Sequence, residues 1–136
     1  MTPTDIFEFF RACVHTPEGK VIFILMLIAI AMIVDFVTGT IAALTNPNIE
    51  FKSKAGINGI LRKIASMLLL IVFLPASVLI PNNVGLALVY TLYAGYLIFE
   101  MRSIVENIGK NGSDTAIFKN ALGKISDNIL GKPEDK

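Results

Sequence analysis

The chain has no tryptophan, one cysteine and one histidine among its 136 residues. A single thiol, Cys13, closes no disulfide within one chain, and with only His15 beside it the usual metal-ligand sets cannot be assembled. Charge is also scarce. Only 17% of residues are charged, and 12 basic against 11 acidic residues leave a formal net charge of +1. No global basic field points to nucleic acid. No Ser/His/Asp set, no phosphate-binding loop and no pair of intramembrane carboxylates is expected from the pattern, so neither catalysis nor a cofactor is anticipated. Strand-like alternation and internal repeats are missing too. Without Trp, any interfacial aromatic belt must use Tyr and Phe. Residues 1–20 are polar and acidic, with no small-residue cleavage site after a short apolar core, which is not the pattern of a cleaved signal peptide.

What is abundant is apolar sequence. Hydrophobic residues make up 54% of the chain, and the mean hydropathy is +0.66. Val21 to Val34 carries no charge, Asp35 interrupts the run, and Ile41 to Leu44 is apolar again. A helix over 21–44 would measure about 36 Å, against a hydrocarbon core of about 30 Å. Asp35 would then lie deep in the bilayer, where a charge costs on the order of 2.5–3.5 kcal/mol, so it is expected to face protein or water rather than lipid. Further apolar segments cover 64–80, with Pro75 expected to kink it, and 84–100. Lys54 to Lys63 is amphipathic and continues the second segment on the membrane surface. The helical pattern of the third persists to Ile108, with Gly109 or Gly112 as its end.

Two amphipathic segments flank these spans. Residues 3–15 present Ile6, Phe7, Phe9, Phe10, Cys13 and Val14 on one side, with Pro3 and Thr4 as starters and Pro17 and Gly19 as breakers. Residues 114–130 align Ile117, Phe118, Ala121, Leu122, Ile125, Ile129 and Leu130. Ser113 or Asp114 is the expected cap, Gly131 and Pro133 the stop, and the charged tail beyond is expected to be disordered. The expectation is an all-α membrane protein forming one unit over 1–136: three transmembrane helices, an N-terminal amphipathic helix and a C-terminal cytoplasmic amphipathic helix.

The loop between the first two spans holds Lys52, Lys54, Arg62 and Lys63 against Glu50, whereas residues 81–83 carry no charge. Positive charge in short loops stays cytoplasmic. This puts 45–63 and the C-terminal segment inside, and 81–83 and the N-terminus outside. The loop lysines are expected to meet the anionic inner leaflet.

On the first span, Ala31, Asp35, Thr38, Gly39 and Ala42 fall on one helical stripe of small and polar residues. Small residues let helices approach closely in lipid, and Thr and Asp can bond across the contact. The stripe reads either as a pore lining or self-association seam, or as an internal contact with the other two spans. On the third span, Tyr93, Tyr96 and Glu100 share a face. The tyrosines are candidate donors to Asp35. Glu100 sits level with Arg62 and Lys63, as an ion-pair partner or as a solvated helix end.

Three ordered pieces then resemble a known family: Asp35-Phe36-Val37-Thr38-Gly39; Ser53-Lys54-Ala55-Gly56-Ile57-Asn58-Gly59-Ile60-Leu61-Arg62-Lys63-Ile64; and Phe99-Glu100-Met101-Arg102-Ser103-Ile104-Val105-Glu106-Asn107. Together they are similar to the phage holin family that includes the toxin-secretion holin of clostridia, over roughly residues 21–112. The motif positions carried over are Asp35, Ser53, Lys54, Gly56, Gly59, Lys63, Glu100, Ser103, Glu106 and Asn107. The acidic residue that many members carry near the end of the second span is missing from Pro75 to Pro81. The resemblance implies a small protein of the bacterial cytoplasmic membrane that self-associates into a large homo-oligomer. It would open a lesion, release a cell-wall hydrolase or toxin, and end in host lysis. The competing readings are an accessory or regulatory subunit of a larger membrane complex and a small ion channel.

Overall fold

The computed structural model describes residues 2–131; Pro133 and the charged tail lie outside the described residues. Five helices follow one another: α1 (Pro3–Cys13), α2 (Pro17–Thr45), α3 (Ser53–Ser77), α4 (Val84–Lys110) and α5 (Ala116–Leu130), with no strand among the described residues. Helices α2, α3 and α4, of 29, 25 and 27 residues, are long and apolar enough to cross a membrane. At 1.5 Å per residue each exceeds a hydrocarbon core of about 30 Å and projects beyond it.

Local chemistry sets the boundaries. Helix α1 starts at Pro3, as expected, and ends at Cys13 rather than at residue 15; a capping box opens it. Thr2 Oγ1 accepts the Asp5 N–H, and Asp5 Oδ2 accepts the Thr2 N–H at 2.7 Å. That backbone bond, together with the Thr2 side chain, holds the Asp5 carboxyl below its usual range. Pro17 and Gly19 do not form a break; they open α2. Pro17 occupies the first turn, and Thr16 Oγ1 caps by accepting the Gly19 N–H at 3.0 Å. A Cβ on Gly19 would lie 2.4 Å from the Cys13 carbonyl oxygen, so only glycine fits where α1 folds back.

Lys54 to Lys63 joins the second span as one continuous helix, and Pro75 falls in the last turn of α3, which stops at Ser77 rather than near Ile80. Asn82 and Asn83, both at φ 61°, turn the chain into α4. There a Cβ on Gly85 would meet the Ser77 carbonyl oxygen at 1.9 Å, so the hairpin closes backbone to backbone. Helix α5 starts at Ala116, later than expected. Asp114 Oδ1 accepts the Ala116 N–H at 2.9 Å, while the N-cap residue Thr115 makes no side-chain cap. Gly131, at φ 82°, ends it.

Helices α2 and α4 run parallel and form the main pair; α3 runs antiparallel to both. Along α2, Val21, Ile24, Ile28, Ala31, Asp35, Thr38 and Ala42 alternate in steps of three and four, the spacing of a coiled-coil seam. The upper part of that seam meets Val89, Tyr93 and Leu97 of α4 in the core, to which α3 contributes Leu70. Lipid tails are as apolar as these side chains, so close packing and interhelical hydrogen bonds, rather than exclusion from water, hold the pair together. The α2 and α4 ends are joined as well. Asn46 Nδ2 donates to the Lys110 carbonyl at 2.9 Å, satisfying one of the orphan acceptors of a helix terminus, and Thr45 Oγ1 donates to Asn111 Oδ1 at 2.7 Å.

Helix α3 is different. Leu70 is its one buried residue, and Leu61, Leu69 and Val72 point outward. Helix α1 buries nothing and leans on α2 through an edge-on contact of Phe10 with Phe23, ring centroids 5.9 Å apart. Helix α5 folds back on α4 and buries Leu122, so α4 itself covers part of the C-terminal apolar face. Ile117 and Phe118 stay exposed.

Candidate functional site

The site grows out of the lower half of the α2 seam, where the apolar positions give way to Asp35, Thr38 and Gly39. The hairpin geometry of α3 and α4 sets Lys63 level with Glu100, and the parallel pairing of α2 and α4 brings Asp35 to the same height. Lys63 Nζ lies 2.8 Å from Asp35 Oδ2 and 2.6 Å from Glu100 Oε2. The side chains of Glu100, Asp35 and Lys63 are 2%, 14% and 24% exposed. One ammonium therefore bridges two carboxylates, and each of the three long helices supplies one charge.

Asn107 completes the cluster from α4. Its Nδ2 donates to Asp35 Oδ1 at 2.9 Å, to the Asp35 carbonyl at 3.1 Å and to Thr38 Oγ1 at 3.2 Å. Thr38 Oγ1 in turn donates to the Val34 carbonyl at 2.9 Å. A Cβ on Gly39 would sit 3.4 Å from Asn107, so glycine allows this side chain to lie flat along α2. Among the described residues no buried side-chain polar atom lacks a partner. A buried ion group depends on such hydrogen bonds to its remaining polar atoms, which Asn107 supplies to Asp35.

Several expectations are corrected by this arrangement. Two carboxylates, Asp35 and Glu100, are brought together on one ammonium, a pair not expected from the sequence. Tyr93 does not reach Asp35. It is buried and donates to the Leu70 carbonyl, tying α4 to α3 at a second level. Tyr96 makes no bond to Asp35 either; its ring lies 6.4 Å from that of Phe99. Glu100 is no solvated helix end, and Lys63 rather than Arg62 is its partner. Within one chain the stripe faces α4: Ala31 and Ala42 are buried, and Asp35, Thr38 and Gly39 meet Asn107.

Of the remaining motif positions, Gly56, Gly59, Ser103 and Glu106 line an open-sided cleft of about 400 Å³ below Lys63, together with Gly39 and Lys110. Ser53 opens α3, and Ser53 and Lys54 are exposed. Reading the sequence missed Lys63 as the partner of Asp35, and Asn107 as its second one. Register counted from the uncharged turn at 81–83 sets Lys63 level with Glu100 on adjacent helices, but it carries no signal that brings Asp35 or Asn107 to them.

A sequence model described as the bacteriophage holin family matches residues 12–127. The chain belongs to the bacteriophage holin family. It is 37% identical over 123 residues to a protein of Bacillus phage PZA named antiholin, covering 90% of this chain and 92% of that one. Proteins of the same name from Bacillus phages phi29 and B103 are 38% and 32% identical, over 66% and 74% of this chain and 67% and 74% of theirs. No solved structure matches. With three helices of spanning length, this holin-family chain is a multi-pass membrane protein, and its charged cluster belongs to the spanning bundle.

Proposed function

We propose that this holin-family protein times host lysis by forming the lesion itself. Copies accumulate in the bacterial cytoplasmic membrane with the N-terminus outside and the C-terminus in the cytoplasm. They associate, and they open a passage for a cell-wall hydrolase or toxin. The observation that carries the reading is the charged cluster at the meeting point of three lipid-length helices, with α3 scarcely packed against the other two. In one closed chain the polar stripe of α2 is turned inward onto Asn107 and Lys63. Separating α3 from the α2–α4 pair would remove Lys63 from Asp35 and Glu100 and leave both carboxylates on a new surface, where they could line water between copies. Three helices from a single chain enclose no wide path, so a sizeable passage requires many copies. The role is that of a membrane assembly and not of an enzyme.

The relatives named antiholin favour a second reading, in which the same fold restrains a lesion-forming partner. One experiment separates the two. The chain is induced alone in bacteria, and then together with an established lesion-forming holin, while growth and release of a cytoplasmic enzyme are followed. A lesion former arrests growth abruptly after a delay and releases the enzyme on its own, with large homo-oligomers in mild detergent. A restraining protein does neither alone and postpones lysis by the partner.

A further inference from the structure

We propose that the groove between α2 and α3 is a binding site for one glycerophospholipid whose headgroup carries both a phosphate and an ammonium. Two clefts meet there. The upper one, about 350 Å³, is walled by apolar side chains including Ala29, Met32, Ile33, Ile64, Met67 and Leu68. The lower one, about 400 Å³, is the polar cleft described above, and the two share Phe36 and Lys63. The groove therefore changes from apolar to charged along the bundle axis, with its charged end at the boundary that carries the basic loop. That is the polarity of a lipid standing in one leaflet. The length agrees: from Ala29 at the apolar end to Ala43 at the polar end, α2 rises about 21 Å. One leaflet with its headgroups measures about 20–22 Å, half of a bilayer of 40–45 Å.

The charges select the headgroup. The lower cleft is lined by Asp35, Glu50 and Glu106 against Lys52, Lys63 and Lys110. Lys63 is committed to Asp35 and Glu100, and Lys52 to Glu50 at 3.2 Å. Glu106 and Lys110, one turn apart on α4, have no ion-pair partner among the described residues. A phosphate fits Lys110, and an ammonium fits Glu106. A purely anionic headgroup would leave Glu106 unmatched and close to a like charge. Glycine keeps the cleft open: a Cβ on Gly59 would meet nothing within 4 Å, and one on Gly56 would only touch Phe36 at 4.0 Å.

The full-length protein, stripped of lipid in detergent, is titrated with phosphatidylethanolamine or phosphatidylglycerol and observed by native mass spectrometry. The expected result is a one-to-one adduct with phosphatidylethanolamine, favoured about tenfold over phosphatidylglycerol because one more charge is matched. Gly59→Leu enters the cleft from a position where a Cβ meets nothing within 4 Å, and leucine suits a helix better than glycine, so it should abolish the adduct with the helix intact. Lys110→Glu, on an exposed residue, should weaken the adduct about tenfold. Gly95→Leu, at a position on α4 away from the groove, should leave it unchanged. Equal binding of the two lipids, an undiminished adduct in Gly59→Leu, or a protein dimer in place of the lipid adduct would each overturn the proposal.

Discussion

Replacing Lys63 by Met is the sharpest perturbation the structure offers. Met keeps the apolar stem and removes only the ammonium, which lies 2.8 Å from Asp35 and 2.6 Å from Glu100. Asp35 retains Asn107 as a donor, but Glu100, with its side chain 2% exposed, keeps no hydrogen-bond partner. Removing one member of a buried ion pair costs about 3–5 kcal/mol, because the charge left behind stays desolvated. Lys63 is itself 24% exposed, which argues for the lower end, about 3 kcal/mol. That corresponds to roughly a hundredfold loss in the population with α3 docked. Little else compensates, since Leu70 is the one buried residue of α3 and Tyr93 supplies its other polar tie. In lipid nanodiscs, amide hydrogen exchange across α3 should quicken by about that factor, while exchange in the α2–α4 pair changes little. In induced cells, growth arrest should come earlier than in wild type. Adding Glu100→Gln removes the orphaned charge and should restore most of the protection, a coupling a double-mutant cycle measures. Unchanged α3 exchange and unchanged arrest time in Lys63→Met would refute the idea that this cluster docks α3.

Further tests address the hairpin, the topology and the C-terminal helix. Gly85→Ala places a Cβ 1.9 Å from the Ser77 carbonyl oxygen. It should destabilise the detergent-solubilised protein by about 1–3 kcal/mol in thermal unfolding, through overpacking. Gly95→Ala, with nothing near its Cβ, should instead stabilise slightly. A membrane-impermeant thiol reagent should label Cys13, and a cysteine placed at Asn83, from outside intact spheroplasts. One placed at Ser53 should stay unlabelled, and labelling at Ser53 alone would reverse the topology. Truncation after Gly112 removes α5 and uncovers the α4 surface that Leu122 protects. The shortened protein should still insert and permeabilise, with altered timing, and complete loss of permeabilisation with normal insertion would place α5 in the lesion itself.

The sequence by itself determined that this chain is helical, that three of its helices suit a bilayer, and that Asp35 must be shielded from lipid. Those conclusions need only hydropathy, helix length and the cost of an intramembrane charge, which are properties of each segment alone. The pairing of Glu100 with Lys63 was legible too, because a short turn between two spans fixes their relative depth. What shields Asp35 was not legible. Tyr93 and Tyr96 were equally eligible by residue type, and the choice of Lys63 and Asn107 depends on which helices run side by side and how each is rotated. The stripe on α2 shows the same division. Its spacing announced a close helix contact, but a seam that fits α4 of the same chain and one that fits another copy have the same pattern. The tertiary structure turned it onto α4, where Asn107 satisfies Asp35 and Thr38 together. It also left α3 held chiefly by Lys63 and Tyr93, because side-chain rotation about the helix axis, invisible to composition, decides which residues are buried and which face lipid.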